Sequence, residues 1–218
     1  MKSITPFFLF LLITFSILLN SCVSKEKNED FWKWFSENQN EIYKFENNQE
    51  EIFDELQSKL IEIDSNLVFE FSPIHKDSTR EFIISADGIT ESFPAVIKLV
   101  NVAPKFRKWK IKAFRQRNPG DSLQIVYDDS LKVAYEDIYF RYSKDSDKIG
   151  IELNIQNYKD SPDFNNAVYI LLDGLIGEYD METKISWIEI KKLEKRKIDS
   201  LYKIVELRKI VDDLKHDK

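Results

Sequence analysis

The order of apolar and polar residues changes character along this chain. Between residues 30 and 62, apolar side chains recur at intervals of three, four and seven, at Phe31, Phe35, Ile42, Phe45, Ile52, Leu56 and Leu60. This spacing places them on one face of an α-helix. The pattern predicts either one long N-terminal helix or two helices in series, with a break expected at the turn-forming pair Asn47-Asn48.

After residue 64 the period falls to two, the repeat of a β-strand with one buried face. Residues 67–71 and 80–86 alternate in this way and predict a hairpin. Polar connections such as DDSLK separate the later strands, which are predicted at residues 108–115, 122–127, 137–142, 148–154 and 185–190. In the last of these, Ile185, Trp187 and Glu189 alternate with Ser186, Ile188 and Ile190.

Helical spacing returns at residues 93–102, 163–178 and 194–216, and the last of these segments is charged and amphipathic. Strands joined by short hairpins pair antiparallel, and helices placed between them must cover a face of the sheet. The sequence therefore predicts an α+β fold. Its sheet is expected to be mainly antiparallel and covered by helices, with a long N-terminal helix and a C-terminal amphipathic helix.

The first residues follow neither pattern. Met1 and Lys2 precede an almost uninterrupted apolar run at residues 4–19. This run is shorter than the roughly 20 residues of a membrane-spanning helix and is typical of a secretory signal peptide. It ends just before Cys22, the only cysteine in the chain, which therefore has no partner for an internal disulfide.

Residues 19–22, LNSC, resemble the lipobox of bacterial lipoproteins, in which an apolar residue and two small residues precede an invariant cysteine. Asn20 departs from the alanine, serine or threonine that is usual at its position. The resemblance implies that residues 1–21 are removed and that the thiol of Cys22 carries a lipid such as palmitate. The membrane would then be contacted through this lipid.

The residues after the cysteine bear on location and domain organisation. Val23 occupies the position at which an Asp retains such lipoproteins in the inner membrane, so the resemblance favours the outer membrane, on its periplasmic or surface face. Residues 22–29 are predicted to be a polar tether, which is either a solvated linker or a surface-export signal. An α+β domain at 30–191 and the charged helix at 192–218 follow.

Charge and composition exclude several functions. The net charge is −6, and removal of residues 1–21 makes the chain more acidic because Lys2 is the only charged residue lost. Nucleic acid is not expected as a partner, since phosphate binding needs a basic surface. Phosphate-binding and dinucleotide-binding glycine patterns are absent from the sequence, and a zinc site cannot be built from two histidines and an acylated cysteine. The sequence thus predicts no cofactor and no metal.

Carboxylates are the one remaining source of catalytic chemistry. Asp87 stands beside Gly88, and Glu178 and Asp180 stand where a helix gives way to the last strand. Paired carboxylates hydrolyse glycosidic bonds, although the same residues also suit a turn and a helix end. The sequence on balance favours a protein that is not an enzyme.

Aromatic residues suggest binding instead. Trp32 and Trp34 lie in FWKWF, where the aromatic side chains are too many for one buried stripe. Either an exposed ring anchors a protein partner, or the helix is covered on two sides. The C-terminal helix in the same way either packs on its own domain or pairs with another chain.

FWKWF, REFIISADGI, GEYD and ISWIEI together resemble an uncharacterised bacterial domain without an assigned activity, and this resemblance implies no chemistry. We therefore expect a lipid-anchored cell-envelope protein that acts as a binding or interaction module. The alternatives are an envelope hydrolase with paired carboxylates and an immunity-type lipoprotein that masks a toxin.

Overall fold

The computed structural model describes residues 25–128 and 131–216. The predicted signal peptide and Cys22 lie outside these residues. The fold is α+β, and contacts between Cα atoms divide the chain into two compact units, Met1–Ala113 and Phe114–Lys218. The predicted domain at 30–191 spans parts of both units, which are described separately below. No helix in the described ranges is long and apolar enough to cross a membrane.

The first unit contains three helices and a three-stranded sheet. Its elements are α1 (residues 25–42), α2 (Gln49–Ile61), β1 (Val68–Phe71), β2 (Arg80–Ser85), α3 (Phe93–Asn101) and β3 (Trp109–Ala113). The strand order is β1-β2-β3. β1 and β2 form the predicted antiparallel hairpin, whereas β3 is parallel to β2 because α3 carries the chain back to the starting edge.

The single long N-terminal helix is not confirmed, because α1 ends at residue 42 and α2 begins at Gln49. A 3-10 turn at Phe45–Asn47 separates them. The buried Arg80 stabilises this break: its guanidinium donates to the Tyr43 carbonyl at 3.1 Å, an acceptor that a continuous helix would use internally. The same guanidinium lies 4.5 Å from the Phe45 ring centroid and is paired with Glu46.

The core of the first unit is unusually aromatic. Phe35 of α1 is fully buried and stacks on Phe82 of β2, with ring centroids 5.1 Å apart and planes 3° apart. Trp109 of β3 meets Phe35 edge-on at 5.4 Å. Such offset and edge-on pairs add stability beyond the area they bury. The apolar stripe recognised in the sequence therefore packs on the sheet of its own unit.

The second unit contains a two-stranded ribbon, a four-stranded sheet and three helices. Its elements are β4 (Gln124–Asp128), β5 (Leu131–Ala134), β6 (Ile138–Asp145), β7 (Lys148–Ile155), α4 (Pro162–Ile176), α5 (Glu178–Lys184), β8 (Ile185–Lys192), β9 (Tyr202–Lys203) and α6 (Leu207–His216). The ribbon pairs β4 with β5, and the larger sheet has the order β8-β7-β6-β9. β6 is antiparallel to β7 and β9, while β8 is parallel to β7 because α4 and α5 intervene.

One face of the four-stranded sheet forms the core of the second unit. Phe140, Ile151 and Leu153 are fully buried there, among apolar residues of α4 and α6 such as Leu171 and Val211. α4 is amphipathic, which explains how a helix with Tyr169 on its exposed side buries its other side on the sheet. Within the described part of this unit, the opposite face of the sheet carries exposed side chains, among them Arg141, Trp187 and Glu189.

The C-terminal helix is shorter than predicted. A 3-10 segment occupies Lys195–Ser200, Tyr202–Lys203 pairs with β6, and helix α6 begins only at Leu207. The Glu206 carboxylate accepts a hydrogen bond from the Lys203 backbone at 2.9 Å, which fixes the chain just before the helix. Residues 194–206 therefore have the apolar spacing of an α-helix, but they form a 3-10 segment and part of the sheet instead.

Candidate functional site

The uncovered face of the four-stranded sheet is the candidate functional site. Three rows of side chains cross it, as the strand register shows: Ser143, Gly150 and Trp187; then Arg141, Glu152 and Glu189; then Tyr139, Asn154 and Lys191. Trp187, Glu189 and Arg141 are exposed. We call this surface the open face.

A β-bulge brings Trp187 to the open face. Ile185 pairs with Ile149 and Trp187 pairs with Gly150, so Ser186 is an extra residue in β8. Without it, Ile185 and Trp187 would point to the same side of the strand. The bulge lets Ile185 stay buried while Trp187 faces outward. Bulges are rare in parallel pairs and re-aim side chains at functional sites.

Gly150 makes room for the indole ring. A Cβ atom added at Gly150 would lie 1.9 Å from Cε2 and 2.0 Å from Nε1 of Trp187, so any side chain there would displace the ring. Trp187 nevertheless remains 44% exposed. Glycine inside a strand costs about 0.5–1 kcal/mol relative to alanine. The sheet therefore gives up stability to hold an aromatic side chain that stays half in solvent.

Beside Trp187, a network of charged side chains spans three strands. The Glu152 carboxylate is buried and accepts hydrogen bonds from Arg141 at 2.8 Å, Lys191 at 2.8 Å and Asn154 at 3.0 Å. Lys191 also pairs with Glu189 at 2.9 Å. Each long side chain is thereby held in one orientation on the surface of the sheet.

This network sets the protonation state of its members. The hydrogen bond from Arg141, with those from Lys191 and Asn154, lowers the pKa of Glu152 from its ordinary value of 4.5 to about 2, despite its burial. The same hydrogen bonds to Glu152 raise the pKa of Arg141 and of Lys191. Glu152, Arg141 and Lys191 therefore keep their charges across the physiological pH range.

Trp32 and Trp34, the predicted aromatic anchors, lie in the first unit. Trp32 is buried rather than on the surface: it is 2% exposed, and its indole N–H donates to the Leu99 carbonyl at 2.8 Å. Trp34 is half-buried between α1 and α2, where it donates to Glu55 at 2.9 Å. Helix α1 is therefore covered on two sides, by α3 at Trp32 and by α2 at Trp34. This arrangement is the alternative to an exposed aromatic anchor that the sequence left open.

Asp87 lies in a turn of the first unit. Its φ is 50° and that of Gly88 is 81°, so both residues adopt the left-handed conformation that ends β2. The Asp87 backbone N–H donates to the Ser85 hydroxyl at 2.9 Å. Asp87 is exposed. It belongs to the first unit, whereas Glu178 and Asp180 belong to the second unit.

Glu178 and Asp180 are buried and not on the surface. Glu178 accepts a hydrogen bond from the Arg115 backbone at 3.0 Å, and Asp180 pairs with the Arg117 guanidinium at 2.7 Å. Asp180 lines a pocket of about 380 Å³ together with Gly177, which has a φ of 83°. The carboxylates of Glu178 and Asp180 hold the segment at residues 114–118 against the α4–α5 junction, so both carboxylates have a structural role.

Two arginines complete this junction by satisfying the last carbonyls of α4. Arg117 donates to the Ile176 carbonyl at 2.7 Å, and Arg208 donates to the Leu175 carbonyl at 3.1 Å. These carbonyls have no partner within the helix, and a cation there also interacts favourably with the helix dipole. Asp180, one of the acidic residues singled out in the sequence, therefore pairs with an arginine that caps α4.

The residues of the open face were not predicted from the sequence as a site, although two features of β7 point to them. Gly150 interrupts the predicted strand at 148–154, which indicates a bulge or a close approach to the backbone. Glu152 places a charge in the centre of the same strand. The partners of both residues lie on other strands, so their identity could not be predicted from local sequence.

Comparison with known proteins adds no family to this geometry. No protein-family model matches the chain, and no curated protein or solved structure is significantly similar to it.

Proposed function

We propose that this protein is a lipid-anchored binding module of the cell envelope whose ligand contacts the open face. The lipid on Cys22 is the membrane anchor, and the outer membrane is the expected location. The observation that supports the binding role is the position of Trp187. A bulge at Ser186 and a glycine at position 150 both reduce the regularity of the sheet to place this exposed ring.

Stability alone does not account for this arrangement. At a core position the whole side chain of Trp187 would be buried, and at an exposed position a polar residue is more usual than tryptophan. Rings that are held rigidly and remain exposed are typical of binding sites, where aromatic residues contribute large contact areas at little entropic cost. The open face thus has the properties of a preformed contact surface.

Neither alternative function is favoured by a specific feature. Hydrolysis by paired carboxylates requires two side chains free to face a substrate, but Glu178 and Asp180 are both bonded within the α4–α5 junction. Masking of a toxin would use the same open face and is a special case of binding.

The anchor is tested by substitution of the cysteine. Full-length Cys22→Ala should lose labelling by an alkynyl palmitate and should leave the membrane fraction, because no thiol then remains for acylation. Trp187→Ala is the matched control and should stay labelled and membrane-bound. A Cys22→Ala protein that is still labelled or still sediments with membranes would show that the anchor lies elsewhere.

The membrane is tested at the next position. Val23→Asp introduces the residue that retains lipoproteins in the inner membrane, and it should move the protein from the outer to the inner fraction on a density gradient. If the wild type already sediments with the inner membrane, the proposed location is wrong.

The binding role is tested by crosslinking from the open face. A photo-reactive amino acid in place of Ser143 lies in the same row as Gly150 and Trp187 and should give covalent adducts in intact cells. The adducts should disappear in the Trp187→Ala background. They should persist with Tyr169→Ala, which removes a ring of the same 44% exposure from α4. Adducts that are unchanged by Trp187→Ala would refute the open face as the contact surface.

A further inference from the structure

We propose that the ligand of the open face is an uncharged glycan chain, with a sugar ring against Trp187 and its hydroxyl groups on the neighbouring charged network. This inference rests on the proposed binding function and specifies its ligand. The charge balance of the open face, its mixture of donors and acceptors, and the exposed indole ring of Trp187 support it.

The charge balance favours an uncharged ligand. Arg141 and Lys191 are both paired with Glu152, and Lys191 is paired with Glu189 as well. Farther along the same face, Asp145 is opposite Lys148 on the neighbouring strand, and Lys203 adds one cation at the outer edge. The open face therefore carries many charges but almost no net charge, so it offers little attraction to a phosphate-rich or carboxylate-rich polymer.

The same pairs supply fixed hydrogen-bonding groups. Arg141 and Lys191 have remaining N–H donors and Glu189 has acceptor oxygens, and all three are held in place by ion pairs with one another or with the buried Glu152. A hydroxyl group donates and accepts one hydrogen bond at the same time, so a ligand with several hydroxyl groups can use both kinds of group. Donors and acceptors that are already oriented lose little entropy when the ligand binds.

Trp187 supplies the apolar part of the site. A pyranose ring has an apolar side formed by its C–H groups and a polar rim of hydroxyl groups. An exposed indole beside a row of polar groups matches both parts, since the ring covers the C–H groups while the network meets the rim. Glu152 lies one row away from Trp187, on the strand that also holds Gly150.

A protein partner fits the composition of this surface less well. The centre of a protein–protein interface is depleted of charged residues and contains several apolar anchors. Here, the exposed ring of Trp187 stands beside Arg141, Glu189 and Lys191, and Tyr139, the other aromatic residue of the open face, is half-buried. Burial of such ion pairs under a protein would remove water from the exposed charges of Arg141, Glu189 and Lys191.

The test is co-sedimentation of the detergent-extracted full-length lipoprotein with insoluble chitin, cellulose and starch granules, with heparin–agarose as the anionic comparison. We expect binding to at least one neutral polysaccharide and none to heparin. The apparent affinity should change less than about twofold between roughly 50 mM and roughly 500 mM NaCl, because no counterions are released by an uncharged ligand.

Two substitutions examine Trp187 from different sides. Trp187→Ala removes the ring, and Gly150→Ala displaces it with a Cβ that would otherwise lie 1.9 Å away. Each should weaken binding by about tenfold or more, the loss typical of a central contact residue. Tyr169→Ala should leave binding within about twofold of the wild type. Backbone amide resonances of α4 and α6 in ¹⁵N spectra of both Ala variants should keep their wild-type positions, which would establish that the second unit remains folded.

The outcomes separate this inference from the function on which it rests. Neutral-polysaccharide binding that needs both Trp187 and Gly150 supports it. If no polysaccharide binds but the Ser143 crosslinks still depend on Trp187 and lead to a protein, the glycan inference is wrong and the binding function stands. Binding that is strong to heparin and lost at high salt also overturns the neutral-ligand inference. If neither sedimentation nor crosslinking depends on Trp187, both proposals fail.

Discussion

Acid should weaken the second unit through one carboxylate, Glu152. The three hydrogen bonds to this buried side chain hold its pKa at about 2, against an ordinary value of 4.5. Glu152→Gln keeps the size of the side chain and removes its charge. We therefore expect the variant to be less stable than the wild type at neutral pH and nearly equal to it in strong acid.

The magnitude follows from linkage between protonation and folding. Each pKa unit corresponds to about 1.4 kcal/mol, so the depression of the Glu152 pKa corresponds to roughly 3 kcal/mol in favour of the folded state at pH 7. Arg141 and Lys191 are largely exposed, so solvent screening reduces this to an expected difference of about 2 kcal/mol. A carboxyl group whose pKa is lowered by folding stabilises the folded state at pH values above its ordinary pKa, and this stabilisation is lost as the pH falls towards the lowered pKa. The contribution should fall below half at about pH 3 and almost vanish near pH 2.

The assay is urea unfolding of the wild type and Glu152→Gln at pH 7, 3 and 2, each pH being set to within about 0.1 unit so that the titration can be followed. Trp187 is the only tryptophan of the second unit, so its indole resonance follows that unit alone. Other acidic groups with lowered pKa values, such as Glu46 and Glu194, are common to both proteins and cancel in the difference. A difference that is the same at pH 7 and pH 2, or below about 0.5 kcal/mol at pH 7, would refute the reasoning.

Three further substitutions test the internal supports of the two units. Arg208→Ala removes donors to three backbone carbonyls and should cost the second unit about 3 kcal/mol in urea unfolding, while Lys209→Ala on the exposed side of the same helix should leave its melting curve unchanged. In Gly177→Ala the alanine must adopt a φ of 83°, which should lower the free energy of unfolding by roughly 1–3 kcal/mol. Gly120→Ala is the control and should stay within about 0.5 kcal/mol of the wild type by thermal denaturation. Equal effects at the two glycines would show that backbone strain is not the cause. Arg80→Ala leaves the Tyr43 carbonyl and the α1–α2 break unsupported and should cost the first unit about 3 kcal/mol, and undiminished protection of residues 43–48 from hydrogen exchange would contradict this role.

Features that depend on local sequence were predictable. The hairpin of β1 and β2, helix α3 and the amphipathic pattern of α4 follow directly from side-chain periodicity. The α+β fold follows from the order of these elements. β5 was missed because only four residues form it, and part of it had been assigned to the connection DDSLK.

Features that depend on distant partners were not predictable. Both parallel pairings, β2 with β3 and β7 with β8, join strands that are separated by helices. The break before α2 was expected as one of two alternatives at Asn47-Asn48, but its support by Arg80, which lies far along the chain from Tyr43, was not predictable. The bulge at Ser186 cannot be predicted from a two-residue period, because the alternation of residues in the sequence does not show where an extra residue moves Trp187 to the other face of the sheet.

Glu178 and Asp180 show the same limit at the level of function. Their acidity was evident in the sequence, but their role is set by Arg115 and Arg117, which approach from another segment. A carboxylate in a sequence therefore indicates a candidate only, and its hydrogen-bond partners decide whether it is available for chemistry.

The parallel pairing of β7 with β8 also has a consequence for the order of folding. β6 and β7 are joined by a tight hairpin, whereas β8 can dock on β7 only after residues 156–184 have closed a long connection. We expect the hairpin to form early and β8 to be added late. Because Trp187 lies on β8 and Gly150 on β7, the contact between them forms only in the final assembly of the sheet. A kinetic intermediate could therefore be compact and rich in secondary structure and still lack the surface that the finished protein presents.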